Sequence, residues 1–89
     1  MNDALLRTAR SLHQAGRLSE ATRLYRQILD ADPQHFDALV MLGVALLESG
    51  QREGANAIAD DGINTAESSR DLYNLGYLLE RLERSNDAL

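Results

Sequence analysis

An all-α fold is predicted by two observations: a stretch that repeats at about one third of the chain length, and hydrophobic spacing that is helical throughout. Leu39-Val40-Met41-Leu42-Gly43-Val44-Ala45-Leu46 recurs as Leu72-Tyr73-Asn74-Leu75-Gly76-Tyr77-Leu78-Leu79, and more faintly as Leu5-Leu6-Arg7-Thr8-Ala9-Arg10-Ser11-Leu12. Self-similarity at such an interval marks structural units that stack to share one core. No segment alternates with period two, and no Asn-Gly or Asp-Gly pair sits between two apolar runs, which argues against strands. The predicted architecture is an α-α superhelix, a right-handed solenoid of helix-turn-helix repeats with five helices in antiparallel pairs. Its 89 residues suffice for one domain, 1–89, with a small core.

The first helix spans residues 3–15, where Ala4, Leu5, Ala9, Leu12 and Ala15 follow three- and four-residue steps, and Gly16 ends it. Ser19 is expected to open the second, its oxygen accepting from the first free amides, with Glu20 favoured at the positive helix end. Ala21, Leu24, Tyr25, Ile28 and Leu29 form its apolar stripe, and Asp32-Pro33 stops it, because proline cannot continue the hydrogen-bond ladder. The third runs from His35 to Glu48, packs through Phe36, Leu39, Leu42, Gly43, Leu46 and Leu47, and is broken by Gly50.

The fourth helix, 53–65, has small residues at Gly54, Ala55, Ala57, Ala59 and Gly62, which leaves Ile58 and Ile63 as its large apolar residues. An interior glycine costs about 1 kcal/mol relative to alanine, so this helix depends on tertiary packing. The fifth, Ser69 to Leu82, is expected to pack Leu72, Leu75, Gly76 and Leu79 on the preceding pair. Leu78 and Leu82 would then face a sixth helix that starts at Asn86-Asp87-Ala88-Leu89. Such an outward patch predicts a homodimer through the C-terminal helix.

Ala9 to Gly43, Gly16 to Gly50, Ala21 to Ala55 and Tyr25 to Ala59 are each 34 residues apart, while Gly43 to Gly76 and Ala55 to Ala88 are 33. A helix-turn-helix unit of this length, with small residues where its helices cross, resembles the tetratricopeptide repeat, of a bacterial type. The resemblance covers two repeats, about 2–35 and 36–68, and a partial third, 69–89. It rests on Leu5, Ala9, Leu12, Gly16, Ala21, Tyr25 and Pro33, then Leu39, Leu42, Gly43, Leu46, Gly50 and Ala55, then Leu72, Leu75, Gly76, Leu79 and Ala88. Three positions depart from the pattern. Ala59 replaces the usual aromatic, Gly62 stands where a larger residue is common, and Glu67 stands where the first repeat has Pro33. Either the fourth helix packs unusually close or a neighbouring element fills the volume.

Composition narrows the function classes. The net charge is −5, and residues 35–68 carry six acids against Arg52 alone, a block that would repel nucleic acid. There is no cysteine, hence no disulfide framework or thiolate metal site. No stretch approaches the 18 apolar residues of a membrane span and no signal-peptide core is visible, which makes a cytoplasmic location the default. His13 and His35 lie on different helices without metal-ligand spacing, and Asp60-Asp61 are adjacent helical positions whose side chains diverge. No catalytic residue, metal or cofactor is predicted, and the chain is expected not to be an enzyme.

The resemblance implies a protein-interaction module that takes a peptide or helix of a partner in a concave groove lined by the first helix of each pair. Carried over position by position, the groove positions are Asp3, Leu6, Arg10, His13 and Gln14, then Asp37, Val40, Val44, Leu47 and Glu48, then Arg70, Tyr73, Tyr77, Glu80 and Arg81, of which Leu6, Arg10, His13, Val40, Val44, Leu47, Arg70, Tyr73, Tyr77 and Arg81 are expected to meet the partner. Arg10, Arg70 and Arg81 are expected to meet acidic groups of the partner, and Val44 and Tyr77 to be replaceable without loss of stability. The Lys/Asn set with which one subclass clamps chaperone carboxylates is not kept, since those positions read Leu6, Arg10, Met41, Arg70 and Asn74. Two alternatives are an N-terminal accessory array of a larger bacterial enzyme, such as a glycosyltransferase or sulfotransferase, and a homo-oligomerisation module.

Overall fold

The computed structural model describes the backbone of residues 2–66 and 69–87 and the side chains of 3–66 and 71–83. Five helices follow in order: α1 Asn2–Gln14, α2 Leu18–Ala31, α3 Phe36–Glu48, α4 Arg52–Thr65 and α5 Ser69–Asp87, with no strand among the described residues. Each helix packs on its neighbour in sequence, and α5 packs on α3 as well as on α4. The result is a slab 38 × 30 × 17 Å, two helices deep in its thin direction.

The centre of the slab is α3, which packs against α2, α4 and α5. It buries Ala38, Leu39, Val40, Leu42, Gly43, Val44, Ala45 and Leu46. A helix apolar on nearly every side must be covered on nearly every side. That coverage comes from Ala21, Tyr25 and Ile28 of α2, Ala55 and Ala59 of α4, and Leu75, Leu78 and Leu82 of α5, all within the same buried cluster.

The two helix hairpins turn identically. Gly16 and Gly50 both have φ of +83°, a left-handed conformation that costs other residues strain. At the first turn the Arg17 amide donates to Leu12 O at 2.9 Å and the Gly16 amide to His13 O at 3.1 Å. At the second, Gln51 donates to Leu46 O at 2.8 Å and Gly50 to Leu47 O at 3.1 Å. This is the paired helix-closing motif that a left-handed C-terminal residue makes. The chain re-enters a helix directly after it, so α2 starts at Leu18 and Ser19 lies inside it; the capping position is Arg17, with no side-chain cap bond. His35 does cap α3, its Nδ1 accepting from the Ala38 amide at 3.2 Å.

The fifth helix departs from expectation in both length and facing. Thirty-three residues after Gly50 stands Glu83, not glycine, and α5 runs through it to Asp87. Asn86 and Asp87 therefore belong to α5, and Ala88 and Leu89 lie outside the described residues. Leu78 and Leu82, expected outward, are 0% and 6% exposed, whereas Leu72 and Leu79, expected inward, are 59% and 38% exposed. The reason is the fit to two glycines. A β-carbon on Gly43 would stand 2.5 Å from Leu78 Cδ2 and 3.1 Å from Ile58 Cγ2, and one on Gly62 would stand 2.8 Å from Leu75 Cδ1. The volume missing at Gly62 is thus filled by the neighbouring helix. Gly76, by contrast, has nothing within 4 Å of its β-carbon position.

Candidate protein-binding groove

The first helices of the successive units, α1, α3 and α5, enclose two adjoining cavities. One, about 350 Å³, is bounded by Arg10, Asp37, Val40, Met41, Tyr73, Asn74 and Tyr77. The other, about 500 Å³, is bounded by Arg10, His13, Gln14, Met41, Val44, Glu48 and Tyr77. Arg10, Met41 and Tyr77 belong to both, so the two form one continuous groove. Each part is at the small end of ligand pockets and has room for one or two side chains.

The floor is apolar because α3 is. Val40 and Val44, 5% and 2% exposed, serve the core and the floor together. An aspartate at Val44 would consequently be a core lesion, contrary to the expectation that this position tolerates change. Tyr73 and Tyr77 form the wall on α5, and Tyr73 is 83% exposed. Leu6 is buried in the core and Leu47 packs partly buried against it; neither bounds the groove cavities. The side chain of Arg70 lies outside the described residues.

One end of the groove is closed by a chain of polar contacts across four helices. The Tyr25 hydroxyl on α2 lies 3.2 Å from His13 Nδ1 on α1. His13 Nε2 lies 2.7 Å from Glu48 Oε2 on α3, and Arg81 Nη2 on α5 donates to Glu48 Oε1 at 2.9 Å. Arg81 Nη1 donates to the Tyr77 hydroxyl at 3.2 Å, and its guanidinium stands 5.4 Å from that ring's centroid. An ionised carboxylate only accepts, so the proton of a neutral His13 sits on Nε2 and the Tyr25 hydroxyl donates to Nδ1. Burial raises the pKa of Tyr25 above its usual 10.0; Arg10 opposes this and the charge of Glu48 adds to it. The hydroxyl therefore keeps its proton at neutral pH.

These contacts redistribute the predicted charges. Arg81, expected to meet a partner's acids, is already paired with Glu48. Arg10 has no ion-pair partner among the described residues and stands between the two cavities. Met41 and Asn74 also bound the groove, although sequence reasoning weighed them only against the patterns of particular subclasses. A signal for the Glu48–Arg81 tie existed: opposite charges one shortened repeat of 33 residues apart.

Helix hairpins stacked about an open groove define an α-helical repeat protein of the interaction-module class. A model of the family described as tetratricopeptide repeat matches residues 12–83, and the chain belongs to that family. Its repeats generally mediate protein–protein interactions, and the family is typically non-catalytic. No curated protein matches the chain. Among the described residues no helix is long and apolar enough to cross a membrane, and no group of three or more His, Asp or Glu is placed to hold a metal ion.

Proposed function

We propose that the chain binds a segment of a partner protein in the groove between α1, α3 and α5. The observation that carries this reading is the exposure of Tyr73 and Tyr77, 83% and 53%, beside a floor of nearly buried valines. Large aromatic rings left in water next to an apolar floor are favoured at interaction surfaces, where the ring is covered and the hydroxyl keeps a polar contact. The segment offers an apolar side chain to Val40, Met41 and Val44 and an acidic group to Arg10, whose guanidinium has no ion-pair partner among the described residues. Arg81 serves a different purpose: it holds α5 to α3 and backs the Tyr77 ring.

Selection of random twelve-residue peptides displayed on phage tests the reading. The wild-type chain should enrich sequences that pair an apolar residue with Asp or Glu. Arg10→Glu should reverse the charge preference, and Tyr73→Ala with Tyr77→Ala should abolish enrichment while the circular dichroism spectrum stays unchanged. Enrichment that survives the double tyrosine variant would place binding elsewhere.

A further inference from the structure

We infer that the groove selects a segment of mixed charge, in which the acidic side chain at Arg10 is joined, about 6 Å further along α3, by a lysine or arginine that lies across the Tyr73 ring and meets Asp37. This deepens the reading of the groove as a protein-binding site and rests on it.

Arg10 on α1 and Asp37 on α3 border the same cavity of about 350 Å³, yet they do not pair with each other. Neither has an ion-pair partner among the described residues. The positive end of α3 accounts for an acid in its first turn but supplies no cation to it. His35 cannot be that cation while it caps the helix, because its Nδ1 accepts from the Ala38 amide and an imidazolium has no acceptor. Glu48, the other acid bordering the groove's two cavities, is already held by His13 and Arg81. The groove thus presents one unpaired cation and one unpaired anion over the same apolar floor. A segment that carried acids alone would be attracted at Arg10 and repelled at Asp37.

Spacing and shape fit a base at the second place. Arg10 belongs with Met41 to both cavities, and Asp37 lies one turn of α3 before Met41, about 6 Å along the axis. Side chains on one side of a segment span that distance when they are two residues apart in an extended chain or four apart in a helix. Asp37 also borders a third cavity of about 310 Å³ together with Phe36 and Asn74, so the groove runs on past it and has room for a long side chain. Tyr73, exposed and bordering the cavity of Arg10 and Asp37, offers such a side chain its ring. The aliphatic stem covers carbon otherwise left in water, and the charge gains from the negative face of the ring.

Selection of twelve-residue peptides on phage, read position by position, tests the inference. The wild-type chain should enrich Asp or Glu with Lys or Arg two or four residues away. Asp37→Lys should turn the selected pair into two acids, and Arg10→Glu should turn it into two bases. In fluorescence anisotropy, a synthetic peptide of the enriched sequence should lose affinity roughly two- to fivefold when its base becomes Gln, and the loss should shrink with added salt. The same exchange should cost nothing on Asp37→Asn, which keeps the shape of the side chain and separates loss of charge from loss of fold. An equal loss on wild type and Asp37→Asn, or enrichment of acids without a base at either spacing, would overturn the inference and leave the groove reading standing. Enrichment that survives Tyr73→Ala with Tyr77→Ala, or no enrichment at all, would overturn both.

Discussion

Leu75 occupies the space that a side chain at Gly62 would need, a β-carbon there standing 2.8 Å from Leu75 Cδ1. Leu78 stands in the same relation to Gly43, with Ile58 closing the other side. Two glycines, each a liability within its own helix, thus become the sockets that seat α5.

The glycines should therefore differ in their response to alanine. Gly43→Ala meets buried Leu78 and partly buried Ile58 and is expected to destabilise by about 1–2 kcal/mol, an overpacking cost partly offset by better helix propensity. Gly62→Ala meets Leu75 alone and should be close to neutral. Gly76→Ala meets nothing and should stabilise by about 0.5–1 kcal/mol. Urea denaturation at low protein concentration gives the ranking, and a stabilising Gly43→Ala would refute the packing.

Leu42 and Leu75 are 1% and 2% exposed, so truncating either to alanine should cost about 2–5 kcal/mol. Val44→Asp should cost about 3 kcal/mol or more, because it places a carboxylate at a site 2% exposed. Thermal melts followed by circular dichroism test both, and a Val44→Asp chain as stable as wild type would mean that the valine faces water.

Glu48 joins α1 to α5 through His13 and Arg81, with its own side chain 32% exposed. Partial exposure holds such ties to modest strength, so Glu48→Gln should cost about 1 kcal/mol. A double-mutant cycle of Glu48→Ala with Arg81→Ala should show a coupling of about 0.5–1 kcal/mol that shrinks with added salt. Zero coupling at low salt would show that the pair does not form in solution.

Tyr25 gives the fold an alkaline limit. Burial raises its pKa above 10.0, so between that value and the raised one the unfolded chain has released a proton that the folded chain retains. Stability is then full below pH 10 and falls as pH rises beyond it. Tyr25→Phe should remove this part of the pH dependence. Denaturation midpoints from pH 8 to 11 measure the effect, and parallel curves for the two proteins would contradict it.

The 34-residue recurrence of small residues made the helical-repeat fold legible, because those positions mark helix crossings wherever the pattern occurs. Val40, Val44, Tyr73 and Tyr77 were legible as groove positions through the family resemblance, which carries the inner face of the first helix from one repeat to the next. The facing of α5 was not. Leucines flank it on both sides, 72 and 79 on one and 75, 78 and 82 on the other, so hydrophobic spacing alone cannot choose between them. The choice is made by Gly43 and Gly62, residues of other helices that offer hollows to one side only. Leu47 shows a milder form of the limit: the broad apolar face of α3 does not reveal which of its edges meets the groove. Of the Tyr25–His13–Glu48–Arg81 chain, only the Glu48–Arg81 link falls at a repeat spacing; Tyr25 to His13 and His13 to Glu48 are 12 and 35 residues apart and match no such interval.

Glu83 marks the difference between the two closed hairpins and the helix that runs on. Glutamate and glycine codons differ at one base, so a single nucleotide change would give the third unit the residue on which Gly16 and Gly50 turn. The reverse change at Gly50 would tend to fuse α3 with α4. In a repeat array of this kind, the boundary between a unit that closes at its turn glycine and a helix that runs on through the same place is a point mutation wide.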